Sequence, residues 1–265
     1  MKIHFYKYQG AGNDFILVDN RTNAINHADP QLIAHLCNRR FGIGGDGIMF
    51  LQNREGYDFE MVYYNADGQP SSMCGNGGRC IVAFARHLGI IDSECNFLAV
   101  DGPHYAKISA AGDWVSLQMI DVDEITSDGG AYVLNTGSPH YVQLVEGLNK
   151  KNVYQDGYNI RNNNTYKAKG INVNFVEPTA GGYFVRTFER GVEDETYACG
   201  TGVTAVALAM AKHHRQTGHI NTRIKVLGGD LNIWFNHDEG KFTGIFLEGP
   251  AVRVFEGQVM VGGDN

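Results

Sequence analysis

The sequence predicts an α/β protein of the α+β type: two pseudo-twofold-related domains, each a curled, mainly antiparallel sheet around a central helix, with the active site in the cleft between them. Three observations carry this expectation. The chain repeats itself at half length, both halves contain alternating strand-like segments, and each half has one apolar helix directly after a Cys-Gly-x-Gly sequence.

The repeat appears when the sequence is slid against itself by 125 residues, which lays Met73-Cys74-Gly75-Asn76-Gly77 on Ala198-Cys199-Gly200-Thr201-Gly202 with three identities in five. The same offset lays Gly12-Asn13-Asp14-Phe15 on Gly137-Ser138-Pro139-His140, and Tyr63-Tyr64-Asn65 on Phe188-Glu189-Arg190. Any one of these matches could arise by chance; three in one order at one spacing favour two structurally equivalent halves.

Taken in chain order, Met1 to Tyr8 interleaves polar and apolar residues as a strand does, and Phe15 to Asp19 follows. Gly42-Ile43-Gly44-Gly45-Asp46-Gly47 matches a dinucleotide fingerprint literally, but a helix-like stretch precedes it and the strand-like Ile48 to Leu51 follows. The fingerprint requires strand, glycines, helix, so this segment reads as a turn. Phe59 to Tyr64, His104 to Ala110 and Val115 to Met119 complete the strands of the first half. The second half offers Tyr132 to Asn135, Tyr141 to Val145, Asn172 to Glu177, Tyr183 to Phe188 and a hairpin from Ile224 to Phe235 turning at Gly228-Gly229. The helices are expected over Arg79 to Leu88, stopped by Gly89, and over Val203 to Gln216, stopped by Gly218. The second is apolar round most of its circumference, so it must be buried on nearly every side. The expected domains are residues 1–116 with a crossing strand at 250–265, and residues 117–249.

Composition bounds the function. A chain of 265 residues with a formal charge of −7 and no basic stripe lacks the footprint of a nucleic-acid binder, so a small-molecule partner is expected. The N-terminus has no apolar core of the signal-peptide kind, and the longest apolar run, Val203 to Ala211, is too short to cross a bilayer. No membrane association and a cytoplasmic location are expected. Five widely spaced cysteines argue against a disulfide framework. The absence of Cys-x-x-Cys, or of histidine at ligand spacing, argues against a metal.

A thiol at a helix start lies where unpaired backbone N–H groups and the helix dipole favour anions, so thiolate becomes accessible near neutrality. The glycines after it let a ligand approach the backbone, whose N–H groups can hold a carboxylate. One such cysteine could equally be an inert residue at a tight turn. Two at equivalent positions suit inversion of a carbon: one thiolate removes a proton from one face and the opposite thiol delivers a proton to the other. No pyridoxal phosphate or other cofactor is needed.

The segments around Asn13, Asn65-Ala66-Asp67-Gly68, Met73 to Cys80, Gly137-Ser138-Pro139-His140, Glu189-Arg190-Gly191 and Ala198 to Gly202 resemble the diaminopimelate epimerase family, in order and over effectively the whole chain. The resemblance implies epimerisation of LL- to meso-diaminopimelate, in lysine and peptidoglycan-precursor synthesis, by a homodimer. It implies Cys74 and Cys199 as acid/base residues, tuned by His140 and Glu189. Gly75-Asn76 and Gly200-Thr201 would hold the reacting carboxylate, and Asn13, Asn65, Asn172 and Arg190 would grip the distal end, with Glu189 also at the substrate. Two features depart from the family pattern: Ser138 stands where many members have asparagine, and one extra residue separates Glu189 from Cys199.

Plainer readings apply elsewhere. Cys37, Cys80 and Cys95 read as small buried hydrophobes, His213-His214 as a solvated pair near a helix end, and Glu193-Asp194-Glu195 as a solvated loop. Two rivals remain at this stage. A proline or hydroxyproline racemase shares the two-cysteine logic but typically has histidine where Asn76 stands, and a binding protein on the same scaffold would have lost the chemistry.

Overall fold

The computed structural model describes residues 1–27, 29–71 and 73–261. In chain order the elements are β1 (Lys2–Gly10), β2 (Asn13–Asp19), α1 (Pro30–Cys37), β3 (Gly47–Gln52), β4 (Phe59–Asn65), α2 (Gly75–His87), β5 (Glu94–Ala99), β6 (Gly102–Ile108) and β7 (Trp114–Gln118). They continue with β8 (Thr126–Asp128), β9 (Ala131–Asn135), β10 (Pro139–Leu144), α3 (Val153–Arg161), β11 (Asn172–Thr179), β12 (Gly182–Glu189) and β13 (Asp194–Thr196). The last are α4 (Gly200–His213), β14 (Gly218–Val226), β15 (Gly229–Asp238), β16 (Lys241–Pro250) and β17 (Val252–Met260). The chain divides into two compact units, Met1–Leu117 with the segment from Pro250 onward, and Gln118–Gly249. Residues 262–265 of the expected crossing strand lie outside the described residues.

In the first unit the strands run β17-β1-β2-β3-β4-β5-β6-β7; β2–β3 and β4–β5 pair in parallel and the rest antiparallel. The sheet curls round α2, which packs against β1, β2 and β3 and also against β6 and β17 near the two ends of that order. Every residue of α2 from Gly75 to Ala85 is buried.

The second unit repeats this plan with β8-β9-β10-β11-β12-β14-β15-β16, parallel at β10–β11 and β12–β14. Helix α4 is its axis, with Val203 to Ala211 buried without interruption. Truncating a side chain such as Leu208 there to alanine would cost about 2–5 kcal/mol.

The registers show how far the repeat is exact. Phe15 pairs with Gly47 across β2–β3, and His140 with Asn172 across β10–β11, both members displaced by 125. On the next strand the offset drops to 124: Ile48 pairs with Tyr64, but its counterpart Val173 pairs with Phe188. Glu189, and not Arg190, is therefore the counterpart of Asn65. The cause is the β11–β12 hairpin, which turns tightly after the Thr179–Gly182 pair, whereas a longer connection joins β3 to β4.

Other expectations need correction. Both central helices begin three or four residues earlier than the apolar pattern suggests, because the glycines after each cysteine are already helical. Helix α4 stops at His213, ahead of Gly218, because Arg215 takes a left-handed φ of 54°. The β14–β15 hairpin is longer than expected and turns at Leu227-Gly228, since Val226 pairs with Gly229. Glu195 is not a solvated loop residue. It lies on β13 beside β12, where Arg186 clasps it through two hydrogen bonds of 2.6 and 2.7 Å. Cys37, Cys80 and Cys95 are buried, and burial pushes each thiol up to about 12, so none ionises near neutrality.

Candidate active site

In the first unit, Cys74 is the residue immediately before α2, with extended backbone (φ −109°, ψ 127°), and its thiol does not cap the helix. Gly78 N–H donates to the Cys74 carbonyl (2.7 Å), so the N–H groups of Gly75, Asn76 and Gly77 belong to the first turn of the helix, at its positive end. They and the helix dipole make this turn an anion-binding position.

Beside it runs a chain of amides with a fixed direction. Arg79, fully buried on α2, donates to Asn76 Oδ1 (2.9 Å) and to the Gly75 carbonyl (3.3 Å). Asn76 Nδ2 donates to Asn13 Oδ1, and Asn13 Nδ2 donates to Asp46 Oδ2 (3.0 Å). Asp46 is held by Arg39 (2.7 Å), which also pairs with Asp14 (2.6 Å). Burial raises the Asp14 carboxyl, but Arg39 and Lys7 outweigh it and hold the group down at about 2. Among the described residues no carboxylate pairs with Arg79 directly; its nearest acceptors are these amide and carbonyl oxygens. Asn65 ends β4, where its N–H donates to the Gln69 carbonyl (2.9 Å) and its own carbonyl accepts from Gly68.

In the second unit Cys199 has the same place and backbone (φ −118°, ψ 110°) ahead of α4, and here too the thiol does not cap. The Val203 N–H closes on the Cys199 carbonyl (2.9 Å), so the N–H groups of Gly200, Thr201 and Gly202 likewise belong to the first turn of the helix. Cys199 Sγ lies 3.6 Å from Thr201 Oγ1, which lies 2.9 Å from Nε2 of the fully buried His140. Burial, with the positive charge of Arg190 in support, pushes His140 down to about 3, so the ring is neutral. Strand β12 ends at Glu189, whose carboxylate accepts from Thr196 (2.9 Å). Arg190 falls in the turn beyond, and its N–H donates to Asn172 Oδ1 (2.9 Å). Ser138 Oγ accepts from both Asn172 Nδ2 (2.8 Å) and Arg190 Nη2 (3.3 Å), so this short side chain ties the two together.

A thiol ahead of a buried helix, with glycine-rich N–H groups and a polar cluster, thus occurs once in each unit. The diaminopimelate epimerase family model matches residues 5–123 and again 132–254. The chain belongs to the diaminopimelate epimerase family.

Curated family members include diaminopimelate epimerases from Flavobacterium psychrophilum, 51% identical over 95% of this chain and 98% of that protein, and from Chlorobaculum tepidum, 43% identical over 94% and 98%. Solved structures share the fold at low identity. A PhzF-family phenazine biosynthesis protein of Bacillus anthracis superposes with a TM-score of 0.80 at 14% identity, covering 98% of this chain and 100% of that one. A hydroxyproline epimerase of Agrobacterium vitis does so at 0.70 and 14%, covering 97% and 92%.

Of the residues singled out in the sequence, Asn13, Cys74, Gly75 and Asn76 gather in the first unit, with Asn65 at the end of β4 in the same unit. His140, Asn172, Glu189, Arg190, Cys199, Gly200 and Thr201 belong to the second. His140 reaches the cysteine through the Thr201 hydroxyl. Sequence reasoning missed Arg79, Asp46, Asn174 and Thr187. Arg79 was visible as the cation at the start of an apolar run, Cys80 to Ala85, and Asn174 as the residue two after Asn172, on the same strand face.

Proposed function

We propose that this chain epimerises one α-carbon of diaminopimelate, converting the LL form to the meso form without a cofactor, with Cys74 and Cys199 as the acid/base pair. The observation that carries the reading is the pair of matched cysteines ahead of the two buried helices, in a chain whose relatives bear that enzyme's name. One thiolate takes the α-proton. The electron pair is held on the substrate carboxylate by the N–H groups at Gly75-Asn76 and Gly200-Thr201, and the other thiol returns a proton to the opposite face. The net change is inversion, with one thiol and one thiolate exchanged. His140 and Glu189 tune the cysteines. Asn13, Asn65, Asn172 and Arg190, with Glu189, grip the distal amino-acid end; a planar guanidinium suits its carboxylate and amides suit both its groups. Proline chemistry is the weaker reading, since Asn76 stands where those racemases typically carry histidine, and proline has no distal amino acid to hold.

The same reading includes a cytoplasmic homodimer. No described helix is long and apolar enough to cross a membrane. Strand β17 exposes Val254, Phe255 and Met260, which would supply apolar area for a second copy.

The test is purified protein in deuterium oxide with LL- or meso-diaminopimelate and no added cofactor or metal. Deuterium should enter the α-carbon as the isomers interconvert, and Cys74→Ala and Cys199→Ala should each abolish interconversion while keeping the far-ultraviolet spectrum. Near wild-type turnover by either variant, or preference for proline, would overturn the reading.

A further inference from the structure

Asn174 is fully buried on β11, two residues after Asn172, and lies hard against the first turn of α4: a methyl group on Gly202 would sit 2.4 Å from its Oδ1 and 3.2 Å from Cys199 Sγ. Its amide has three partners. Nδ2 donates to the Tyr141 carbonyl (3.0 Å) and faces His140 Nδ1 (3.1 Å), while Oδ1 accepts from Thr187 Oγ1 (2.9 Å). A backbone carbonyl can only accept, so the Tyr141 oxygen fixes which end of the amide is nitrogen. That nitrogen can only donate, so His140 Nδ1 must be a bare acceptor. In a neutral ring the proton then resides on Nε2 and points to Thr201 Oγ1, whose own hydrogen is left for Cys199 Sγ.

We propose that Asn174 is a positioning residue that locks His140 as the Nε2–H tautomer, and so aims a one-way chain of donors, His140 to Thr201 to Cys199, that favours the thiolate of Cys199. The opposite tautomer would reverse every bond in the chain and leave the Thr201 oxygen to accept from an S–H group, favouring the thiol. The proposal rests on Cys199 being an acid/base residue, and deepens that reading by naming what biases its protonation. Of the charged groups on or next to strands packed against α4, Arg190 in the turn after β12 acts on His140 and disfavours imidazolium. Glu189 meets Thr196, Arg186 is paired with Glu195 and Glu177 accepts from Gly147. On β14 and β15, Arg223 pairs with Asp230, His219 meets Asn236, and His237 meets the Gln216 carbonyl, while Lys225 and Asp238 lie on the exposed side.

Two measurements test the proposal without using diaminopimelate. The first is nitrogen-15 spectra of ring-labelled protein, with the His140 signals assigned by their loss in His140→Gln. The wild type should show an unprotonated Nδ1 and a protonated Nε2 near neutral pH, and the reverse assignment, or a mixture, would overturn the proposal. The second is the ultraviolet thiolate absorbance of Cys74→Ala as a function of pH, with Cys74→Ala/Cys199→Ala as the blank. The buried Cys37, Cys80 and Cys95 stay silent near neutrality. Adding Asn174→Asp, whose carboxylate would draw a proton onto Nδ1, should move the Cys199 titration up by about one pH unit, a tenfold loss of thiolate at a given pH. An unchanged titration in a variant with a native near-ultraviolet spectrum would overturn the proposal. A shifted titration in a protein that fails to exchange the α-proton of diaminopimelate would instead sink the substrate assignment alone.

Discussion

His140 ties the stability of the second unit to pH, and the size of the effect can be worked out. Its ordinary pKa of 6.5 falls to about 3 in the folded chain, through burial first and the charge of Arg190 second. Above 6.5 the ring is neutral in both folded and unfolded chains and contributes no pH dependence. Below 6.5 the unfolded chain takes up a proton that the folded chain refuses, so stability falls with pH until the folded group also titrates near 3. Each pH unit in that window costs about 1.4 kcal/mol, so acidifying from about pH 7 to about pH 4.5 should remove roughly 3 kcal/mol through this group. The residue is fully buried, so solvent screening does not discount the figure. The window is separable from carboxylate titration: Asp14, depressed from 3.8 to about 2, withdraws its stabilisation only as pH falls through that lower range. Urea unfolding of wild type and His140→Gln, measured in steps from about pH 7 to about 4.5, should show the wild type losing roughly 3 kcal/mol more than the variant. Parallel curves would mean that the folded ring accepts a proton in this range, and the neutral-ring argument for its hydrogen bonds would fail with them.

Three further outcomes follow from the site. Arg190→Ala removes a guanidinium held by Ser138 Oγ and the Lys169 carbonyl. It should lower kcat/KM for diaminopimelate by an amount equivalent to roughly 2–5 kcal/mol, as for truncated charge-assisted pairs, and an unchanged value would refute the distal-site assignment. Wild-type enzyme should barely turn over alanine or proline, which steady-state racemisation assays would show directly. Gly202→Ala should be more damaging than Gly77→Ala at the matching helix turn: the added methyl meets the pinned Asn174 oxygen at 2.4 Å in the first case, and only the terminal methyl of the flexible Met49 at 2.2 Å in the second. Equal losses of activity in the two variants would show that the Asn174 amide is not held as rigidly as its three hydrogen bonds require.

The legible part of the fold was what periodicity and repetition record. The alternation of Phe59 to Tyr64 and of Tyr183 to Phe188 marks strands β4 and β12, and the unbroken apolar run of Val203 to Ala211 marks a helix with no solvent face. The helix starts were less legible, because glycine is a poor helix former and Gly75-Asn76-Gly77-Gly78 looks like a loop until the backbone shows a turn of helix there. Helix α3 was not legible: Val153–Arg161 is half-exposed and polar, with only Val153 and Gly157 buried. The displacement of Glu189 against Asn65 was hidden for another reason. Sliding a sequence without gaps assumes equal loop lengths, and only the strand register reveals that the second hairpin turns early.

The repeat also misleads about the site in an instructive way, since it implies two equal surroundings for two equal cysteines. Counting 125 residues from Asn76 gives Thr201, and from Arg79 gives Thr204. In the first unit these positions begin a chain from a buried guanidinium through Asn76 and Asn13 to the Asp46 carboxylate, fixed in direction by charges at both ends. In the second, Thr204 only bonds back to the Gly200 carbonyl, and the direction of the chain at Thr201 is set by a neutral imidazole whose tautomer depends on Asn174. Guanidinium does not lose its proton in the working range, and the Asp46 carboxylate is tied to Arg39, so the first chain offers nothing to reorganise. The second has no charged group within it, and its direction holds only while the Asn174 amide keeps His140 Nδ1 unprotonated. If both cysteines serve one α-carbon, the backbone halves are interchangeable and the proton inventories are not. Exchanging the order of events between LL and meso substrate would then use Cys199 first as base in one direction and as acid in the other, and the pH dependence of kcat should differ between forward and reverse reactions in wild type but converge in Asn174→Asp. Identical profiles in both directions for the wild type would mean that the asymmetry seen around Cys199 plays no part in its protonation.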